Sequence, residues 1–101
     1  MLISTTQKEH IKKKIREKLS GEPEVRKIVL FGSFLTSEQP NDIDIAIFQN
    51  SDEKYLPLAL KYRKLVREVA KMLPVDVIPL KAAVKGTLLH EIEAGEILYE
   101  G

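Results

Sequence analysis

The segment Asp42-Ile43-Asp44-Ile45-Ala46-Ile47-Phe48 restricts the fold of this chain more than any other stretch. Successive side chains of an extended strand point to opposite faces, so Ile43, Ile45 and Ile47 share one side while Asp42 and Asp44 share the other. Isoleucine suits a strand and aspartate does not. The alternation therefore describes a strand, Asp42 to Phe48, with one face in the core and two carboxylates held side by side on the other. Two such charges repel unless a cation lies between them.

Two further stretches belong with this strand. Val25 to Phe31 contains the apolar run Ile28-Val29-Leu30-Phe31, short and bounded as a strand buried on both faces would be. Gly32 after it permits a tight turn and a close approach of backbone to a ligand, and Ser33 offers a hydroxyl at the start of a short helix. Val75-Asp76-Val77-Ile78 then returns a carboxylate to a segment that would otherwise be wholly apolar. We read Val75 to Leu80 as a third strand. A long helix precedes it, with Pro57 in its first turn, Pro74 at its end and an apolar face of Tyr62, Leu65, Val66, Val69, Met72 and Leu73. A helix between two strands favours parallel neighbours, which would bring Asp76 towards Asp42 and Asp44. Three acids in a small domain point to a metal site, while the glycine-serine turn beside them either marks a phosphate site or merely ends the strand.

The flanks complete the pattern. Ile11, Ile15 and Leu19 recur every fourth position in a helix from Thr5 to Leu19, with Thr6 and Glu9 as a capping box. Its lysines, among them Lys8, Lys12 and Lys13, read as a solvated face. Thr87 to Ala94 should form a last short helix burying Leu88, Leu89 and Ile92 and closed by Gly95 in a left-handed cap, before a fourth strand from Glu96 to Tyr99. His90 has no second ligand at metal spacing and receives no role. The order helix, strand, strand, helix, strand, helix, strand gives an α/β domain with a small mixed sheet of about four strands flanked by helices.

Composition narrows the function. A length of 101 residues with 44% hydrophobic content supports a single domain spanning 1–101. Sixteen basic against fifteen acidic residues leave a net charge of +1, so a general affinity for nucleic acid or membrane is not expected. The absence of cysteine excludes thiolate ligands, disulfides and cysteine nucleophiles and fits a reducing compartment. No signal peptide or apolar run of ~18 residues is visible, and a soluble, cytoplasmic protein is the expectation.

Gly32-Ser33, Asp42-x-Asp44 and Asp76, in that order and each on the matching kind of element, resemble the minimal nucleotidyltransferases of the DNA polymerase beta superfamily. The likeness covers about Val25 to Leu80. It implies a polymerase-beta-like nucleotidyltransferase fold and transfer of a nucleoside monophosphate, with AMP from ATP the expected case, to an acceptor hydroxyl with Mg2+. By the same resemblance Asp42 and Asp44 would hold two ions. Asp76 would bind the ion that carries the acceptor oxygen, lowering that hydroxyl's pKa or taking its proton, and Gly32 N–H and Ser33 Oγ would hold the terminal phosphates. Family members commonly continue the Gly-Ser pair with Ala-Arg-Gly and a longer loop. Here Phe34-Leu35-Thr36-Ser37 follows, with eight residues and no arginine before Asp42, leaving Lys81, Lys85 or a partner chain to supply positive charge. Short stand-alone members typically accompany a HEPN-domain toxin and adenylylate one of its tyrosines, acting as the antitoxin. Two other readings are an antitoxin that works by contact alone, and a small-molecule nucleotidyltransferase whose cleft is completed by dimerisation.

Overall fold

Strand β2, Ile43–Gln49, lies inside a four-stranded sheet in the computed structural model, which describes residues 2–81, 90 and 92–101. With β1 (Val25–Phe31), β3 (Val75–Lys81) and β4 (Glu96–Glu100) the sheet order is β3-β2-β1-β4. β1 runs antiparallel to both β2 and β4, while β2 and β3 are parallel, so the sheet is mixed as the sequence requires. Ile43, Ile45 and Ile47 are fully buried, and Asp42 falls just outside the strand.

One sheet face is covered by helix α1 (Thr5–Leu19) together with α3 (Tyr55–Leu65) and α4 (Arg67–Ala70). Ile11, Ile15 and Leu19 of α1 and Leu58, Tyr62, Val66 and Val69 of the later helices meet Ile28, Leu30, Ile43, Ile45, Ile47 and Val77 in one core. On the opposite face Val29, Phe31 and Ala46 form a smaller cluster with Ile92. This two-sided burial is why the apolar runs of β1 and β2 are nearly continuous.

Four details differ from the expectation. The cap of α1 is Ser4, not Thr6: the Ser4 hydroxyl accepts from Gln7 N–H at 3.1 Å and Gln7 Oε1 accepts from Ser4 N–H at 2.8 Å. Thr6 is already helical and cannot cap, which leaves Glu9 to pair with Lys12 at 3.1 Å. The long helix is interrupted at Val66 (φ −100°, ψ 19°) and ends at Ala70, short of Pro74. Met72, beyond that end, loses the helical period that would have turned it inward and is 39% exposed, whereas Leu73 still reaches the core. Gly95 does not adopt a left-handed conformation, since Gly32 alone has positive φ among the described residues. Its constraint is proximity instead. A Cβ there would stand 2.9 Å from both Phe31 Cβ and Val29 Cγ1 and collide with the Leu30 carbonyl. The expected helix Thr87–Ala94, with Leu88 and Leu89, lies largely outside the described residues, of which Ile92 is helical and buried and His90 helical and exposed.

An ion cluster ties the turn before β1 to α3. The Lys61 ammonium lies 2.8 Å from both Glu22 Oε1 and Glu24 Oε2, and the buried Tyr62 hydroxyl donates to Glu24 Oε2 at 2.8 Å. Burial opposes ionisation of Glu24, but bonds from Lys61, its own backbone N–H and Tyr62 outweigh it and hold the carboxyl below its usual 4.5. Burial and the Glu24 bond both push the Tyr62 hydroxyl up. A depressed carboxyl contributes stability above its unfolded pKa that disappears as pH falls through the folded value. The expected result is a stability loss of about 1–2 kcal/mol in Glu24→Gln at neutral pH, with a flattened acid limb below about pH 4.5. Urea melts of both proteins at pH 7 and pH 3.5 measure it, and parallel acid limbs would remove Glu24 from the account.

Candidate metal and nucleotide site

Register decides whether three aspartates scattered through the sequence meet. In the parallel ladder Asp44 stands directly opposite Asp76, each the second residue of its strand. The Ile43 N–H donates to the Pro74 carbonyl at 2.9 Å, which fixes the start of β2 against the start of β3. Asp42 precedes β2 by one residue and shares the Asp44 side by alternation. The outcome is a cluster in which Asp42, Asp44 and Asp76 each present a carboxylate oxygen, all within 4.8 Å of one another. Asp42 and Asp44 are half-buried and Asp76 is exposed, so one side of the cluster is open to an incoming ligand.

The end of β1 closes another side. Phe31 pairs with Asp44 across the antiparallel ladder, and Gly32 follows with φ 83° and ψ −160°, a backbone conformation open to glycine alone. A Cβ at Gly32 would also run into Asp44 Oδ2. Glycine is thus required twice, by conformation and by contact with the carboxylate. Ser33 opens α2 (Ser33–Thr36) and is exposed, while Phe34 is fully buried and anchors the turn. Gly32→Ala is expected to destabilise the chain by about 1–3 kcal/mol and to displace Asp44, weakening Mg2+–ATP binding at least tenfold. Thermal melts with titration calorimetry check it, and unchanged affinity would separate the turn from the site.

The donor set suits Mg2+. Hard carboxylate oxygens are its natural ligands at about 2.0–2.1 Å, so two ligands of one ion sit within roughly 4.2 Å of each other, close to the observed spacing. Three carboxylates can serve one ion or bridge two.

All the acids singled out in the sequence come together, with Gly32 and Ser33 beside them. Lys81 does not join them. It ends β3, five residues past Asp76 and so roughly 16 Å along the strand, and its ammonium donates to the Ser51 carbonyl. It cannot replace a cation in the Gly-Ser loop, and Lys85 lies outside the described residues. A hollow of about 490 Å³ between Lys27, Phe48, Ile92 and Ile97 is at the other end of the same sheet face and not at the acids. Sequence reasoning placed the helix Thr5–Leu19 but missed what the N-terminal segment does for the site. Ile3 N–H donates to the Glu38 carbonyl at 3.0 Å and the Lys8 ammonium to the Ser37 carbonyl at 2.7 Å, both in the loop leading to Asp42. A lysine in a lysine-rich helix carries no signal that would single it out.

Comparison with known proteins shows the family and the fold. A family model described as polymerase beta, nucleotidyltransferase, matches residues 13–101. No curated protein matches the chain. Among solved structures, it is similar to a chain of the tri-AMPylated Shewanella oneidensis HEPN toxin in complex with MNT antitoxin. That likeness has a TM-score of 0.70 and 22% identity, and covers 93% of this chain and 73% of that one. A chain of the toxin-antitoxin MntA-HepT gives 0.67 and 21%, covering 92% and 73%, and at these identities both likenesses speak for the fold. A chain of a toxin-antitoxin structure with AMP-PNP gives 0.60 at 25% identity, covering 89% and 73%.

Proposed function

The chain belongs to the polymerase beta nucleotidyltransferase family, and on that premise we propose that it transfers AMP from ATP to a hydroxyl acceptor, a tyrosine of a HEPN-domain toxin, as the antitoxin of that toxin. The observation that carries the reading is the carboxylate cluster on adjacent parallel strands, with the positive-φ Gly32 against it. The AMPylated toxin in one similar complex and AMP-PNP in another support the choice of adenylyl group and acceptor.

One or two Mg2+ ions, when bound, supply the positive charge that screens the triphosphate and makes the acceptor hydroxyl more acidic. Asp42 and Asp44 would hold the ions and so bring that charge to the phosphates. Asp76, the exposed member of the cluster, would hold the acceptor-side ion and take the proton from the acceptor's hydroxyl oxygen. Gly32 N–H and Ser33 Oγ donate to the terminal phosphate oxygens and orient pyrophosphate as the leaving group. Phosphoryl transfer requires little beyond such positioning and charge. Asp76 is exposed, which leaves it accessible to an acceptor carried by a partner molecule.

A contact-only antitoxin is favoured by a separate observation: the loop from Ser33 to Asp42 has no basic residue, and Lys81 stands at the far end of β3. Incubating the chain with ATP, Mg2+ and a co-expressed HEPN partner distinguishes the two. The expected result is a mass increase of one or more AMP units on the partner. A silenced partner of unchanged mass would favour contact alone. The absence of helices long and apolar enough to cross a membrane among the described residues is compatible with either reading.

A further inference from the structure

The eight residues between Ser33 and Asp42 join the phosphate side of the candidate site to its carboxylate side, yet they contain no lysine or arginine. Their restraint comes from α1. The Lys8 ammonium donates to the Ser37 carbonyl at 2.7 Å and lies 5.4 Å from the centroid of the Phe34 ring. Ser37 closes α2, and its N–H returns to the Ser33 carbonyl at 2.8 Å. A carbonyl at the end of a helical turn has no partner within it, so the ammonium satisfies the group that would otherwise let the turn fray. The next residue is held as well, because Ile3 N–H donates to the Glu38 carbonyl at 3.0 Å.

The anchor behind Lys8 is firm. The Ser4–Gln7 capping box locks the first turn of α1, and Ile11 and Ile15 fix the helix in the core. Neighbouring cations are engaged elsewhere, Lys12 with Glu9 and Glu96 and Lys13 with Glu17. Lys8 is therefore distinct among the basic residues of α1 in reaching the Gly-Ser loop.

We infer that Lys8 is a positioning residue of the nucleotide site: by clamping Ser37 and covering Phe34 it sets where Ser33 stands relative to Asp42. A short loop without arginine then keeps its shape through a cation lent by another element. The inference rests on the nucleotidyltransferase reading for its consequence, though not for its geometry.

The test compares full-length Lys8→Met, which keeps the aliphatic stem, with Lys8→Arg, which keeps the donor and the ring contact. Amide exchange without nucleotide and calorimetric Mg2+–ATP binding are measured on both and on the wild type. Lys8→Met is expected to speed exchange at Leu35 and Ser37 about tenfold and to weaken Mg2+–ATP binding by a similar factor. Exchange in β1 and β2 and the melting temperature should stay nearly unchanged, and Lys8→Arg should restore both losses. Unchanged exchange at Ser37 would overturn the clamp. Acceleration spread evenly through β1 and β2, or equal effects of Met and Arg, would reduce Lys8 to general stability and overturn it too. If the wild type itself bound no Mg2+–ATP, the nucleotidyltransferase reading would fail and Lys8 would position no site, even with faster local exchange.

Discussion

Asp76→Asn is expected to bind Mg2+–ATP nearly as the wild type does while transferring AMP ~10²–10⁴-fold more slowly, the range associated with loss of a general base. Asparagine keeps the shape of the side chain on β3 but takes no proton and contributes no charge on the acceptor side. Asp76 is also the exposed member of the cluster, so its replacement leaves the core intact and the melting temperature almost unmoved. Nucleotide affinity by calorimetry and AMP transfer by mass spectrometry are to be measured in parallel. Transfer at the wild-type rate would return Asp76 to a structural role and discard the three-carboxylate mechanism.

The second large effect concerns binding itself. Asp42→Ala/Asp44→Ala removes two of three ligands and leaves the triphosphate charge unscreened, so Mg2+–ATP affinity should fall below the measurable range. The same change relieves repulsion within the cluster. In metal-free buffer the double variant should therefore melt no lower than the wild type, and the rise in melting temperature that millimolar Mg2+ gives the wild type should vanish. Equal affinity of the two proteins for Mg2+–ATP would place the site elsewhere.

Much of this was legible in the sequence because it depends on period-two alternation and residue chemistry. Ile43, Ile45 and Ile47 against Asp42 and Asp44 specified a strand, its inward face and a charge pair together. That Asp44 faces Asp76 was not legible, since strand register is settled by long-range packing and by bonds such as Ile43 to Pro74. The Thr6–Glu9 cap failed for a local reason: Ser4–Gln7 satisfies the same free N–H groups one half-turn earlier. Gly95 was correctly seen as special but for the wrong cause, because sequence does not distinguish a left-handed turn from a close approach to β1. Lys81 seemed available as a cation only until the direction of β3 was known.

The pairing of Asp44 with Asp76 also governs when the protein can act. The two residues are 32 positions apart (76 − 44), and bringing such distant points together costs about 3 kcal/mol in the length-dependent part of loop closure alone. The candidate site thus depends on one of the chain's long-range pairings, which in folding tends to be made late. During synthesis the Gly-Ser turn and β2 precede β3, so the three-carboxylate cluster cannot assemble until Val75–Lys81 has been made. On the proposed mechanism, a chain truncated before β3 would lack the acceptor-side carboxylate however well its first half were formed.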